Sequence, residues 1–197
     1  MKYLQKILKV VFIMLGIMFI TVPLYALPAT LSLPGGVRPG IEPLTIEQAA
    51  RRLRSTGQTG WELVEAARSL VEERIQYSRR NSFDTANKAF QRGYGYCMQM
   101  SYALVDLLQQ LGFDARVVQA LRNRFPGGEI SSHSWVEVRI GDEIRHIDSL
   151  FFDSQSGRIT FETLSEVTSI SPIFKAFTWW GAPAVNAHRY YISGKDF

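Results

Sequence analysis

Residues 93–118 read GYGYCMQMSYALVDLLQQLGFDARVV and contain the single cysteine of the chain, Cys97. Two glycines break the preceding segment, and from Cys97 onward apolar residues recur at helical spacing as far as Leu111. Gly112 follows at the position where glycine commonly ends a helix. This stretch therefore predicts a helix that begins at Cys97 and a strand over residues 113–120.

A thiol in the first turn of a helix is well placed for chemistry. The thiolate is the nucleophilic form of cysteine, and the partial positive charge of a helix N-terminus favours it. Free amides of that turn, including the amide of Cys97, could also stabilise an oxyanion. A lone cysteine is, alternatively, a small buried apolar residue. Position alone leaves both interpretations of Cys97 open.

Two strands farther along supply a base and a carboxylate. Residues 133–140 (HSWVEVRI) and 143–148 (EIRHID) flank a Gly-Asp pair typical of a tight turn. If a two-residue turn joins the strands, Trp135 faces Asp148, and His133 becomes the diagonal neighbour of Asp148 on the same face. A shift of one residue would place the two on opposite faces. The hairpin therefore predicts a His133–Asp148 contact, in which the carboxylate orients an imidazole able to take the thiol proton.

These segments resemble the three sequence blocks of the transglutaminase-like superfamily. Residues 93–118 look like its Cys block, where a glycine precedes the cysteine and the helix ends in Leu-x-x-x-Gly before Ala-Arg and a strand. Residues 132–138 (SHSWVEV) are similar to its His block, commonly His-Ala-Trp-x-Glu-Val, and residues 147–149 (IDS) to its Asp block, often Asp-Pro-Thr. Ser134 and Ser149 depart from the usual Ala and Pro, and neither is a triad residue.

The resemblance covers roughly residues 60–150 and implies an α+β fold with a papain-like or transglutaminase-like core. In that core the catalytic cysteine lies at a helix N-terminus packed on an antiparallel sheet. The resemblance also implies a catalytic triad of Cys97, His133 and Asp148, with no cofactor and no metal. Members act as transglutaminases, peptidases, amidases or acyltransferases through an acyl-enzyme on the cysteine, and some are thought to lack catalysis.

We therefore expect a cysteine-dependent hydrolase or acyltransferase that acts on protein or peptide amide bonds. The alternative is a non-catalytic, membrane-tethered binding module that keeps the fold for recognition. Fold and triad do not select the substrate or the acyl acceptor.

Three further features need the structure for their interpretation. His146 lies two residues before Asp148, and we expect it to support the site or to be structural. The set of Cys97, His133 and His146 lacks the ligand-pair spacing of a metal site. The pairs Trp179-Trp180 and Tyr190-Tyr191 either border a substrate cleft or serve ordinary packing.

The N-terminus predicts export. Residues 1–9 hold three lysines, and residues 10–22 (VVFIMLGIMFITV) carry no charge. A basic head before an apolar core describes a secretory signal, and the apolar stretch to residue 27 is also just long enough to span a membrane. No small-x-small cleavage site is evident, so residues 1–27 are predicted to be a signal peptide or a membrane anchor. A buried core helix of a cytosolic protein is the remaining alternative.

Because basic residues stay on the cytoplasmic side, the rest of the chain is predicted to be periplasmic or at the cell surface, either anchored or secreted. Residues 28–43 (PATLSLPGGVRPGIEP) hold four prolines and three glycines, which predicts a linker. Residues 44–197 are then the transglutaminase-like domain.

Composition limits the partners. The 197 residues suit one domain, and 46% apolar with 20% charged residues is ordinary for a folded chain. Three of the basic residues behind the formal charge of +4 lie in the first nine positions. The remaining arginines occur in small groups among acids, so no basic stripe indicates nucleic-acid binding. The expected partners are a protein or peptide substrate and, through the N-terminal segment, the membrane.

The other elements support an α+β order. Thr45 and Thr59 each begin a capping-box pattern ahead of a predicted helix, the first helix ending near residue 54. Helices come first and strands after, which is typical of an antiparallel sheet packed on a helix. Residues 121–131 are predicted to be a loop, and residues 160–167 and 173–191 remain undecided.

Overall fold

The computed structural model describes residues 2–80 and 83–195. Within these residues the elements follow one another in chain order as α1 (Lys2–Leu31), α2 (Ile46–Arg54), α3 (Gly60–Arg74), β1 (Gln76–Tyr77), α4 (Ala86–Arg92), β2 (Tyr94–Gly95), α5 (Cys97–Gln110), β3 (Asp114–Arg124), β4 (Ile130–Ile140), β5 (Glu143–Ile147), β6 (Phe152–Asp153), β7 (Arg158–Ile159), β8 (Glu162–Thr163), β9 (Thr168–Ser169) and α6 (Pro172–Ser193). Helices precede the main sheet, which confirms the predicted α+β class.

The main sheet is antiparallel. Its order is β5-β4-β3, and the short strands β8 and β9 both pair with the outer edge of β3. Ile140 pairs with Glu143 across the turn, as predicted from the sequence. The predicted loop over residues 121–131 is wrong at both ends. A register shift between Ala120 and Asn123 lets β3 continue, because the buried Asn123 amide donates to the Ala120 carbonyl at 2.9 Å.

Helix α5 packs on the sheet and forms the centre of the core. Its Leu104, Leu107 and Leu108 are fully buried, in one cluster with Val136 and Val138 of β4. Helices α2, α3 and α4 lie against α5 and cover it from the other side. Burial of such an apolar stripe is the main term that holds a helix onto a sheet.

The two predicted capping boxes have different outcomes. At α2 the box is present: the Gln48 amide N–H donates to Thr45 Oγ1 at 3.1 Å, and Gln48 Oε1 accepts from the Thr45 N–H at 2.9 Å. At α3 the helix is present but the box is not, since the Thr59 side chain makes no capping hydrogen bond. Gly60 begins that helix at a φ of 56°, a conformation that glycine adopts without strain.

Helix α1 continues to Leu31, four residues into the segment predicted as a linker, and contains Pro23 and Pro28. It is the one described helix that is long and apolar enough to cross a membrane. The undecided segment near the C-terminus forms α6, which begins at a Ser171 cap and ends at Gly194.

Helices α1 and α6 lie against each other and run in the same direction. The rings of Phe19 and Trp180 are 4.9 Å apart, and farther along the Tyr25 hydroxyl lies 3.0 Å from His188 Nδ1. Small buried residues sit between the two helices, which lets the backbones approach closely; these are Ala26, Ala29 and Ala187. The C-terminal part of α1 is therefore held against α6.

Candidate active site

The chain turns tightly just before Cys97. Strand β2 pairs in parallel with β1, with Tyr77 opposite Gly95. Gly93 has a φ of 82°, and a Cβ there would lie 2.9 Å from the Arg74 carbonyl oxygen. Glycine is required at this position because any other residue would be strained at this φ, and its Cβ would clash with the Arg74 carbonyl oxygen. The turn places Cys97 at the first position of α5, as the sequence predicts.

Gln99 fixes that first turn. This fully buried side chain accepts from the Tyr96 N–H at 3.0 Å and donates to the Asp84 carbonyl at 2.7 Å. The amides of Cys97 and Met98 have no partner within the helix, because the first N–H groups of any helix lack one. Sequence reasoning missed Gln99, although a glutamine two residues after a candidate nucleophile is a usable signal.

His133 and Asp148 are in contact. His133 Nε2 lies 2.6 Å from Asp148 Oδ2, and both side chains are 3% exposed. The other carboxylate oxygen of Asp148 accepts from the Leu150 N–H at 3.0 Å, which fixes the carboxylate plane. The contact predicted from the hairpin register is therefore present. Because Nε2 is occupied, Nδ1 is the imidazole nitrogen available to the Cys97 thiol.

Electrostatics favour a charged imidazole. Burial by itself would lower the pKa of His133, but the charge and hydrogen bond of Asp148 oppose it, and a hydrogen bond with Cys97 and the Cys97 charge add to that opposition. Together they raise the pKa of His133 from 6.5 to about 10. An imidazolium that is stable at neutral pH stabilises a thiolate beside it.

Aromatic side chains enclose the His133 ring. Three phenylalanines present their edges to it at centroid distances of 5.1 to 5.5 Å: Phe125, Phe151 and Phe161. Trp135 stacks on it at 6.2 Å, and the Trp135 indole N–H donates to His146 Nδ1 at 2.9 Å. His146 therefore holds the tryptophan that packs on the imidazole. The phenylalanines come from separate segments, so sequence reasoning did not find them.

Ser101 links helix α5 to strand β4, which carries His133. Its hydroxyl lies 2.8 Å from the carbonyl of Cys97, one turn earlier, and 2.8 Å from the carbonyl of Ser134 on β4. The single hydroxyl proton is shared between these two acceptors. Since Ser134 follows His133, this buried link joins the helix that begins at Cys97 to the strand that carries His133.

A cavity of about 880 Å³ opens beside Cys97 and His133. Its walls are the start of α5, the β3–β4 loop and one face of α6. The C-terminal aromatic pairs do not line it: Trp179 packs on Tyr102 and Trp180 on the N-terminal helix. Other residues of α6 line the cavity instead, and no sequence pattern indicated them.

This geometry suits nucleophilic chemistry. The imidazole of His133 contacts a carboxylate, Cys97 and His133 line one cavity, and the amides of the first helical turn have no partner within the helix. Among residues 2–80 and 83–195, no three His, Cys, Asp or Glu side chains lie close enough together to hold a metal ion.

Comparison with known proteins gives one family. The sequence model of the transglutaminase-like superfamily matches residues 47–149. A crystal structure of a candidate cysteine protease from Cytophaga hutchinsonii aligns with a TM-score of 0.46 and 14% identity over 72% of this chain and 55% of that chain. The chain thus spans about half the length of that protein. No curated protein matches the sequence.

Proposed function

This chain belongs to the transglutaminase-like superfamily, and from that premise we propose that it is a thiol enzyme acting on protein or peptide amide bonds. The observation that carries the proposal is the buried contact between His133 and Asp148, with Cys97 at the start of a helix and lining the same cavity as His133. In this proposal Cys97 is the nucleophile, His133 the acid and base, and Asp148 the residue that orients the imidazole.

The first half-reaction forms an acyl-enzyme. The Cys97 thiolate attacks the amide carbon, and the carbonyl oxygen becomes an oxyanion that accepts from the amides of Cys97 and Met98. The His133 imidazolium then donates its proton to the departing nitrogen, the C–N bond breaks, and a thioester remains on Cys97. Throughout, Asp148 stabilises the positive charge on the imidazole.

The second half-reaction releases the acyl group. Neutral His133 takes a proton from water or from an amine as that acceptor attacks the thioester carbon. The C–S bond breaks, the thiolate re-forms beside the imidazolium, and the product is an acid or a new amide. Hydrolysis and acyl transfer thus differ only in the acceptor that enters the cavity.

We also propose that this chemistry takes place at the outer surface of the cytoplasmic membrane. Three basic residues precede the apolar span of α1, an order that favours a cytoplasmic N-terminus. Packing of α6 on the outer part of α1 supports a site close to the membrane surface, because α6 is also a wall of the cavity. The substrate would then be a protein or peptide of the cell envelope.

Iodoacetamide labelling tests the proposal. Cys97 is the sole thiol, so the labelling rate of the full chain in a neutral detergent reports on this site alone. Between pH 5 and 9 we expect a midpoint well below the free-thiol value of about 8.5. His133→Ala should move the midpoint upward. Arg122→Gln, which removes an exposed side chain that does not line the cavity, is the control and should not move it.

Slow labelling, with a midpoint that is the same in wild type and in His133→Ala, would contradict the proposal that the protein is a thiol enzyme. That result would instead support the non-catalytic binding module, since the fold does not depend on a reactive thiol. Given a reactive thiol, incubation of envelope peptides with isotope-labelled methylamine separates the two outcomes of the second half-reaction. Incorporated amine indicates acyl transfer, and a free acid indicates hydrolysis.

A further inference from the structure

The cavity has a second polar region on α6. Asn186 and Arg189 lie one helical turn apart, so their side chains share a face, and both line the cavity beside Cys97. Asn186 is 8% exposed, and its Nδ2 has no hydrogen-bond partner among residues 2–80 and 83–195. Buried polar groups are almost always satisfied. A buried donor that lines a cavity and lacks a partner therefore indicates a missing acceptor.

Arg189 supplies a cation at the same place. It is half-buried, and it forms no ion pair within the part of the chain that the structure describes. Arg79 also lines the cavity. Burial and the Cys97 charge raise the pKa of Tyr77, whereas the charges of Arg79 and Arg189 act on it in the opposite direction. Both guanidinium groups are therefore near the ring that adjoins the thiol.

The cavity holds little negative charge to neutralise these arginines. Among the lining residues that the structure describes, Glu129 is the one carboxylate, and it is exposed on the β3–β4 loop. The Asn186 amide and the Arg189 guanidinium both donate hydrogen bonds. A planar anion with two acceptor oxygens matches these donors, and guanidinium groups bind such anions in bidentate fashion.

We infer that α6 carries a carboxylate-binding subsite, in which Arg189 and Asn186 hold an acidic group of the substrate beside the carbonyl that Cys97 attacks. This inference rests on the proposed function, because a substrate subsite requires a reactive thiol. The carboxylate belongs either to the C-terminus of a peptide or to an Asp or Glu side chain. Both sources present the same two oxygens.

Iodoacetate and iodoacetamide test the subsite without a known substrate. Both alkylate a thiol by displacing iodide, and they differ in carrying a carboxylate or an amide. Relative to free cysteine, Cys97 of the full chain should favour iodoacetate by roughly tenfold, the size expected for a charge-assisted contact. Arg189→Gln should abolish most of this preference, which is read as the ratio of the iodoacetate rate to the iodoacetamide rate and so does not depend on the fraction of thiolate. Arg189→Lys keeps the charge and should retain part of the preference.

Arg122→Gln is the matched control, because it removes an exposed arginine that does not line the cavity. Protection of Cys97 by N-acetyl-Ala-Ala would indicate a terminal carboxylate, and protection by N-acetyl-glutamyl amide a side chain. Fast labelling without charge preference, a preference that survives Arg189→Gln, or protection by neither compound would overturn the subsite alone. Uniformly slow labelling by both reagents would contradict the proposed function and the subsite with it.

Discussion

Replacing Asp148 with asparagine removes the charge that faces His133 and preserves the size of the side chain. In the wild-type protein the two groups are 2.6 Å apart and almost fully buried. Burial lowers the pKa of His133, and the Asp148 charge is the largest effect that raises it. In the variant that charge is absent, so the pKa of His133 falls. We therefore expect Asp148→Asn to change how the free energy of unfolding depends on pH.

The direction follows from the raised pKa of His133. A base whose pKa is higher in the folded state than in the unfolded state stabilises the fold fully below the unfolded value and loses that stabilisation as the pH rises through the folded value. For His133 this window runs from 6.5 to about 10. At about 1.4 kcal/mol per pH unit, the wild-type protein loses at most about 5 kcal/mol across it.

Thermal unfolding followed by tryptophan fluorescence measures this effect on the full chain in detergent. One kcal/mol corresponds to roughly 2–4 °C for a domain of this size, so the wild-type Tm should fall by up to about 10–20 °C between pH 6.5 and 10. The Tm of Asp148→Asn should start lower and change much less over that range. Asp114→Asn, which removes an exposed carboxylate 3.7 Å from Arg139, is the control and should behave like wild type.

Two results would refute the reasoning. A wild-type Tm that stays flat across the window would mean that His133 is not held protonated by its carboxylate partner. A fall of equal size in wild type and in Asp148→Asn would assign the pH dependence to other groups.

Three other substitutions test the surroundings of the site. Ser101→Ala removes the link between α5 and β4. We expect the free energy of unfolding to fall by about 1–3 kcal/mol and the alkylation midpoint of Cys97 to shift toward the free-thiol value. If neither changes, the link does not set the geometry of the site. Phe161→Ala opens a cavity beside the imidazole and should lower the free energy of unfolding by about 3–5 kcal/mol in chemical denaturation. A loss below about 1 kcal/mol would mean that the neighbouring side chains move in and fill the cavity. Gly93→Ala should lower the Tm more than Gly112→Ala, because both have positive φ but only the former meets a backbone carbonyl; equal losses would contradict this.

Local sequence patterns predicted much of the region around Cys97. Glycines, a helical apolar stripe and a final glycine fix the start and end of α5, because each acts through backbone preferences of its own residue. The hairpin register was also predictable, since a two-residue turn leaves one pairing and the period of two then decides which residues share a face. From that register the contact of His133 with Asp148 follows.

The sequence did not predict the enclosure of the imidazole or the wall opposite it. Phe125, Phe151 and Phe161 reach His133 from three different segments, and no local spacing records that they meet. The same holds for Ser101, whose link to Ser134 spans 33 residues. Beyond residue 120, the Asn123 amide also donates to the Ser131 carbonyl of β4 at 3.2 Å, a contact between strands that local spacing does not record.

The sequence by itself determined the position of Cys97 at the start of its helix and the pairing of His133 with Asp148, because propensity, turn chemistry and strand period act over a few residues. The tertiary structure alone decided what the site faces. The aromatic composition of residues 173–191 did not predict helix α6. Its position depends on packing against α1, more than 150 residues earlier in the chain. That packing brings Asn186 and Arg189 to the cavity, because contacts between distant segments are set by the burial of complementary surfaces rather than by local preference.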